Sequence, residues 1–239
     1  MCFVKIPYLP EKRITLAIGD LQLEAVRVIK PYRLDVMPLS MQRHADLSFC
    51  YLGDGVAVCA PEAYSYYKTE LDGTGIELIK GGIGLKGNYP FDAAYNVGIV
   101  GDKIYCKKAI TDIVLLSVAE SMGYDIININ QGYAKCSICP VDRHSAISAD
   151  MSFYKAAVKE GMDVLLITNE AIGLEGFANG FFGGCAFKYD KDGLFVNGDV
   201  RQLPQYENIR KFLEKREIKL VYDSGQVTDF GSLIPIMEE

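Results

Sequence analysis

The chain has 239 residues, 49% of them apolar, with 25 basic and 31 acidic side chains and a net charge of −6 at pH 7. That length suits one large domain or two small ones, and the apolar share is enough to bury a core. The acidic balance excludes a general nucleic-acid binder, which needs a basic face against phosphates, and no run of about 18 apolar residues offers a membrane span.

The 7 cysteines are an odd number and lie scattered, several inside apolar runs such as Val58-Cys59 and Tyr105-Cys106. That pattern fits reduced, buried thiols better than a disulfide framework. No charged leader followed by a long apolar stretch is read at Met1, so a cytoplasmic protein is expected.

Taken in order, the chain repeats one grammar: a hairpin or its second strand, then a helix, then a short apolar strand. Unit one starts with an alternating strand over Arg13 to Gly19, a helical run near Leu21 to Ile29, and the strand Leu34 to Met37. Unit two has the strand Asp46 to Tyr51, a Gly53-Asp54-Gly55 turn, the strand Val56 to Cys59, a helix started by Pro61, and the strand Ile76 to Ile79. Unit three runs from a strand over Asp92 to Val100 through Lys103 to Cys106, a helix across Ile110 to Met122 closed by Gly123, and the strand Tyr124 to Ile127. Unit four takes Tyr133 to Cys139, Ser145 to Ser148, a helix from Met151 to Glu160, and Met162 to Leu165. Unit five takes Phe181 to Tyr189, Leu194 to Asn197, a helix from Gln205 to Lys215, and Ile218 to Val221. The unit recurs about every 45 residues, the span of one supersecondary element.

The last strand, Gly231 to Ile236, has no hairpin partner, and unit one lacks its first strand. Pairing these two closes the set. A doubly wound sheet would place single strands between helices, where here hairpins recur. No linker marks a boundary between two domains, so residues 1–239 are expected to form a single domain.

Five ββαβ-like units closed by the C-terminal strand resemble the pentein fold, an α/β fold built as a fivefold pseudosymmetric β/α propeller. Arginine and agmatine deiminases, dimethylarginine dimethylaminohydrolase and amidinotransferases share that fold, as does a non-catalytic ribosome anti-association factor. The resemblance implies a central channel lined by the residues that open each first strand. Here those stretches contain His44 and Asp46, Asp92, Gln131 and Lys135, Asn179, and Asp229.

In such a channel Asp46 and Asp92, which occupy matching places, would grip a planar guanidinium through charge-assisted hydrogen bonds. Gln131, Lys135, Asn179 and Asp229 complete the expected substrate-binding set. Each aspartate also has an ordinary reading, as a cap on its own loop. The catalytic Cys expected from the resemblance would fall within Val227 to Ser232, and the His within Tyr133 to Lys135, but neither stretch contains that residue. If the roles have moved, Cys136 is the candidate nucleophile and His44 the candidate proton carrier. Cys136 also reads as a structural thiol and His44 as a loop residue. Strand alternation would send Lys135 and Cys136 to opposite faces.

Gly82 to Gly87 matches a dinucleotide motif but leads into Asn88-Tyr89-Pro90, not a helix. Cys136-Ser137-Ile138-Cys139 lacks the second pair a zinc site wants. No metal or cofactor is expected. The functional expectation is a small cationic ligand of guanidino or amidine type in the channel. Its enzymatic form would be a non-standard amidinohydrolase or an amidinotransferase-like enzyme. The alternative is a non-catalytic pentein that binds a macromolecular partner. Oligomeric state is not legible.

Overall fold

The computed structural model describes residues 1–239. It contains five small sheets, one of four strands and the others of three. The strands are β1 (Cys2–Phe3), β2 (Ile14–Ile18), β3 (Arg27–Ile29), β4 (Phe49–Gly53), β5 (Val56–Cys59), β6 (Glu77–Lys80), β7 (Gly98–Val100), β8 (Lys103–Cys106) and β9 (Asp125–Asn128). They continue as β10 (Ile138–Asp142), β11 (Ser145–Ser148), β12 (Asp163–Leu166), β13 (Ala186–Asp190), β14 (Gly193–Val196), β15 (Lys219–Tyr222) and β16 (Ile234–Glu238). Four sheets repeat one order, β4-β5-β6, β7-β8-β9, β10-β11-β12 and β13-β14-β15. In each, an antiparallel hairpin is followed by a parallel third strand. A parallel neighbour requires a crossover, and the helices supply it: α2 (Tyr64–Glu70), α3 (Ile113–Ser121), α5 (Met151–Lys159) and α7 (Tyr206–Glu214).

These helices start and stop where local chemistry says they should. Asp112 and Asp150 accept from the amides of Leu115 and Phe153, satisfying donors that the first turn leaves open. Gly123 and Gly161 end α3 and α5 in the left-handed conformation, φ 88° and 79°.

The fifth sheet has the order β1-β16-β2-β3. β16 pairs antiparallel with β2, Ile234 opposite Ile18, so the C-terminal strand takes the inner place of the first unit. The inner strands β7 and β10, β10 and β13, β13 and β16, and β16 and β4 lie against one another. Their residues are almost all buried. No helix is long and apolar enough to cross a membrane.

Unit one departs from the expected pattern. Leu21 to Ile29 is not helical; its last three residues form β3, parallel to β2. Ala25 has φ 61°, outside the helical region, and the β-branched Val26, Val28 and Ile29 favour a strand. Leu34 to Met37 is a turn, with the Met37 amide donating to the Leu34 carbonyl, and Pro38 follows.

The expected strand starts at Asp46, Tyr133 and Phe181 are also corrected. Each inner strand there is entered through a single helical turn: α1 (Ala45–Ser48), α4 (Ala134–Ser137) and α6 (Phe182–Cys185). Asp92 lies in a turn region, and its strand begins only at Gly98. Crowding explains the tight entries. A Cβ on Gly183 would lie 2.5 Å from the Ile138 carbonyl oxygen and 2.7 Å from that of Cys136, so α6 approaches α4 only because the residue is glycine.

Candidate active site

The helical turns carry the side chains that the sequence singles out. In α4, Cys136 faces α1, and its thiol donates to Asp46 Oδ2 at 3.0 Å. Asn96, on the approach to β7, holds this pair in place. Its Nδ2 donates to Cys136 Sγ at 3.2 Å and to the Asp46 carbonyl at 3.3 Å. Its Oδ1 accepts from the amides of Lys135 and Cys136 at 2.7 and 3.3 Å. Asn96 is not among the expected site residues; in the sequence it stands out only as a polar residue inside the apolar run Ala93 to Val97, and it is 1% exposed.

His44 closes the group. Ligand atoms of His44, Asp46 and Cys136 all lie within 4.8 Å of one another. His44 Nδ1 is 3.9 Å from Asp229 Oδ1. Asp229 is fixed by the amides of Phe181 (2.8 Å) and Gly231 (3.0 Å). Gly231 has φ 77°, and a Cβ there would lie 2.4 Å from the His44 Cα, so the close approach that brings His44 to Asp229 requires glycine.

This group forms the floor of a cavity of about 330 Å³ to which His44, Cys136 and Asp229 contribute directly. Tyr133, Phe177 and Phe181 are its aromatic walls, with Asn169 and Asn179 also lining it. The Tyr133 and Phe181 rings are 6.2 Å apart. A volume of this order suits a small molecule with a few polar anchors.

The other expected site residues stand elsewhere. Asp46 lies beneath Cys136. Asp92 sits behind the wall, accepting from Tyr133 Oη at 2.6 Å. Gln131 accepts from the Tyr133 amide and donates to Asp150, which holds the wall rather than the cavity. Lys135 is buried but turned away from the cavity. Its Nζ donates to the Gly183 carbonyl at 2.8 Å and lies 4.8 Å from the centre of the Tyr8 ring. The face-alternation argument for Lys135 and Cys136 does not apply, because α4 is helical there.

The electrostatics follow from burial. Burial pushes the Asp46 carboxyl up, against the opposing pull of His44, Lys135 and the Cys136 thiol. Burial, reinforced by the charges of Asp46 and Asp229, raises the Cys136 thiol well above its ordinary value, with Lys135 opposing. The resting thiol is therefore neutral. Burial also raises Asp92, against the hydrogen bond from Tyr133. Both ring nitrogens of His44, Asp46 Oδ1 and Asp92 Oδ1 are buried without a hydrogen-bond partner.

A wider groove of about 580 Å³ lies at the β10–β11 turn. Arg216, one of the cations that line it, is paired with Asp142 and Asp163.

The sequence profile of a family of unknown function, DUF6873, matches residues 11–234. The chain belongs to that family. No curated protein sequence matches it. Among solved structures, this DUF6873 member is similar to an amidinotransferase of the saxitoxin biosynthetic pathway from Microseira wollei. The identity is 12% and the TM-score 0.61, over 98% of this chain and 97% of the other. It is also similar to inosamine-phosphate amidinotransferase from Streptomyces griseus, at 11% identity and TM-score 0.61, over 100% and 97% of the two chains. A third is dimethylarginine dimethylaminohydrolase from Pseudomonas aeruginosa, solved with citrulline, at 9% identity and TM-score 0.55, over 89% and 92%. Identities this low establish the fold alone: the DUF6873 chain has the pentein fold.

Proposed function

We propose that residues 1–239 form one domain, a closed fivefold propeller, and that its cavity binds a small guanidino- or amidine-type cation on which Cys136 and His44 act. One observation carries this reading: the Cys136 thiol is bonded to a buried carboxylate beside an unpartnered imidazole, on the floor of an aromatic-walled cavity. A planar cation would place its N–H groups on Asp229 and, past Cys136, on Asp46 Oδ1. Its face would lie against the Tyr133 or the Phe181 ring.

The ligand would also supply what the resting thiol lacks. A positive charge beside Cys136 favours the thiolate, with the thiol proton passing to His44. The sulfur then attacks the guanidinium carbon, and His44 gives a proton to the departing amine. The resulting thiouronium on Cys136 is resolved by water in an amidinohydrolase, or by an acceptor amine in an amidinotransferase. Either route restores the thiol. On this reading the nucleophile has moved from the Val227 to Ser232 stretch to α4.

A thermal-shift screen of the full chain with arginine, agmatine and simple amidines tests it, with ammonia- and urea-release assays on the binders. Binding to the native state alone raises the midpoint. The reading requires a shift that Asp229→Asn and Asp46→Asn both reduce, and mass-spectrometric trapping of the adduct on Cys136. No shift across the panel overturns it.

A second reading has one observation in its favour. Val36, Leu39, Tyr89, Phe91 and Phe177 are exposed apolar side chains. Several belong to loops bordering the cavity: Ser40 bonds the Glu175 carbonyl, and Tyr89 packs on Tyr133. Such a rim fits a macromolecular partner. On that reading Leu39→Asp abolishes partner capture, while Cys136→Ser leaves it intact.

A further inference from the structure

The floor of the cavity has a property that the guanidino chemistry does not use. Three different ligand types, an imidazole, a carboxylate and a thiol, meet there within 4.8 Å of one another, and all three residues are buried. His44 is 2% exposed and Asp46 1% exposed, yet both His44 nitrogens and Asp46 Oδ1 have no hydrogen-bond partner. Buried polar atoms are nearly always partnered, so three orphans in one place require an account.

The nearest cation does not answer them. Lys135 directs its ammonium to the Gly183 carbonyl and the Tyr8 ring, on the other side of α4. Nor does a hydrogen bond inside the group. The Cys136 thiol proton is already donated to Asp46 Oδ2, and the imidazole N–H of His44 reaches no acceptor, since neither ring nitrogen has a hydrogen-bond partner.

We propose that His44, Asp46 and Cys136 form a three-ligand site for a zinc-class divalent cation, open to the cavity at its fourth position. The donor set decides the class of ion. Thiolate with imidazole and one carboxylate suits zinc and its first-row neighbours, whereas magnesium and calcium take oxygen ligands. Ligand atoms around a tetrahedral zinc stand about 3–4 Å apart. The thiol and carboxylate are already 3.0 Å apart, so the remaining closure is a side-chain rotation within 4.8 Å.

Binding replaces the thiol–carboxylate hydrogen bond: the Cys136 S–H bond breaks, a sulfur–metal bond forms, and one proton leaves to solvent. Thiolate and carboxylate then neutralise the ion's charge. Asp229, 3.9 Å from His44 Nδ1, stands where an outer carboxylate orients a ligating imidazole. Asn96, which holds both Cys136 and the Asp46 backbone, fixes the other two ligands. The metal uses the atoms the guanidino reading needs, so the two occupants exclude each other. The site itself does not depend on that reading.

The test is an anaerobic titration of the reduced, chelator-treated full chain with cobalt(II), followed by zinc. The wild type should take one equivalent, show a near-ultraviolet thiolate-to-cobalt charge-transfer band, and release about one proton per metal. Zinc should displace the cobalt. Cys136→Ser should lose the band, while Cys2→Ser, which removes an exposed thiol, should keep it. His44→Gln and Asp46→Asn should each weaken binding by more than about tenfold, the scale on which even outer-shell partners act. Asp46→Asn retains every side chain of the core, so it serves as the reading if Cys136→Ser fails to fold. The proposal is overturned if no thiolate–cobalt band forms at millimolar metal. It is also overturned if the band survives in Cys136→Ser, or if Asp46→Asn binds as the wild type does. No guanidino compound is present, so failure of the guanidino reading leaves this outcome unaffected.

Discussion

Asp46→Asn should make the protein more stable and less able to bind its ligand, two effects of opposite sign from one atom. Asp46 Oδ2 accepts from the Cys136 thiol, which an amide carbonyl also accepts. Oδ1 is buried with no partner, and removing such a group relieves a desolvation penalty of about 1–3 kcal/mol. The new amide N–H groups find an acceptor in the unpartnered imidazole of His44. For a chain of this size, 1 kcal/mol moves Tm by about 2–4 °C, so a rise of roughly 2–12 °C is expected. The pH dependence has a definite sign. Burial raises the Asp46 carboxyl, so its contribution to stability is complete below the unfolded value of about 3.9 and is lost as pH rises through the folded one. Of the groups that face it, His44, Lys135 and the Cys136 thiol oppose that rise and Asp229 adds to it, and burial outweighs them. The stability gap between variant and wild type should therefore be present at neutral pH and vanish below about pH 4. Ligand binding should weaken by roughly 10- to 150-fold, the loss of one hydrogen bond to a charged group at about 1.5–3 kcal/mol. Urea unfolding across pH and calorimetric titration with the best guanidino compound measure the two arms. A variant that is less stable at pH 7 and binds normally would refute both the orphaned-carboxylate argument and the site.

A cationic alkylator such as chloroacetamidine should label Cys136 faster than neutral chloroacetamide, because the resting thiol is neutral and faces carboxylates; peptide mapping should show the contrast lost in Asp46→Asn. Tyr133→Phe removes the one hydrogen bond to the Asp92 carboxylate, leaving both oxygens unpartnered. It should destabilise by about 1–3 kcal/mol in urea unfolding. Gly184→Ala would set a Cβ 2.0 Å from Asp229 Oδ1, so Asp229 must move; ligand and cobalt binding should both fall, and a crystal structure should show the carboxylate displaced. Arg216→Ala tests the far end of the chain's inner strands. Burial raises the Asp142 carboxyl, but the Ser145 hydroxyl, the His144 amide and the Arg216 guanidinium more than offset it and hold it low. A lowered carboxyl contributes stability above its unfolded value that is lost as pH falls, so acid unfolding should begin at higher pH in this variant. An unchanged acid midpoint would count against that network.

Period-2 alternation, glycine turns and helix caps are local, and they place four of the five hairpins, helices and parallel strands near their observed positions. Asp112, Asp150, Gly123 and Gly161 act within one turn of the chain, so their effect is written in adjacent residues. The unpaired strand at Ile234 is legible for the same reason, as an alternating segment without a neighbour. The entries at α1, α4 and α6 are not, because a four-residue turn has no period to read. They follow from inner strands crowding together, as the Gly183 contact with the Cys136 and Ile138 carbonyls shows. The candidate site divides along the same line. The residue types are present in the polar stretches: His44, Asp46, Cys136 and Asp229. Their assembly is not, since Asp46 and Cys136 are 90 positions apart in the chain yet bonded. The same holds for the role of Asn96 and for the turning of Lys135 toward Tyr8. A helical turn aims side chains about 100° apart where a strand alternates them. Which neighbour each side chain then meets depends on how the sheets pack, and that is a property of the whole chain.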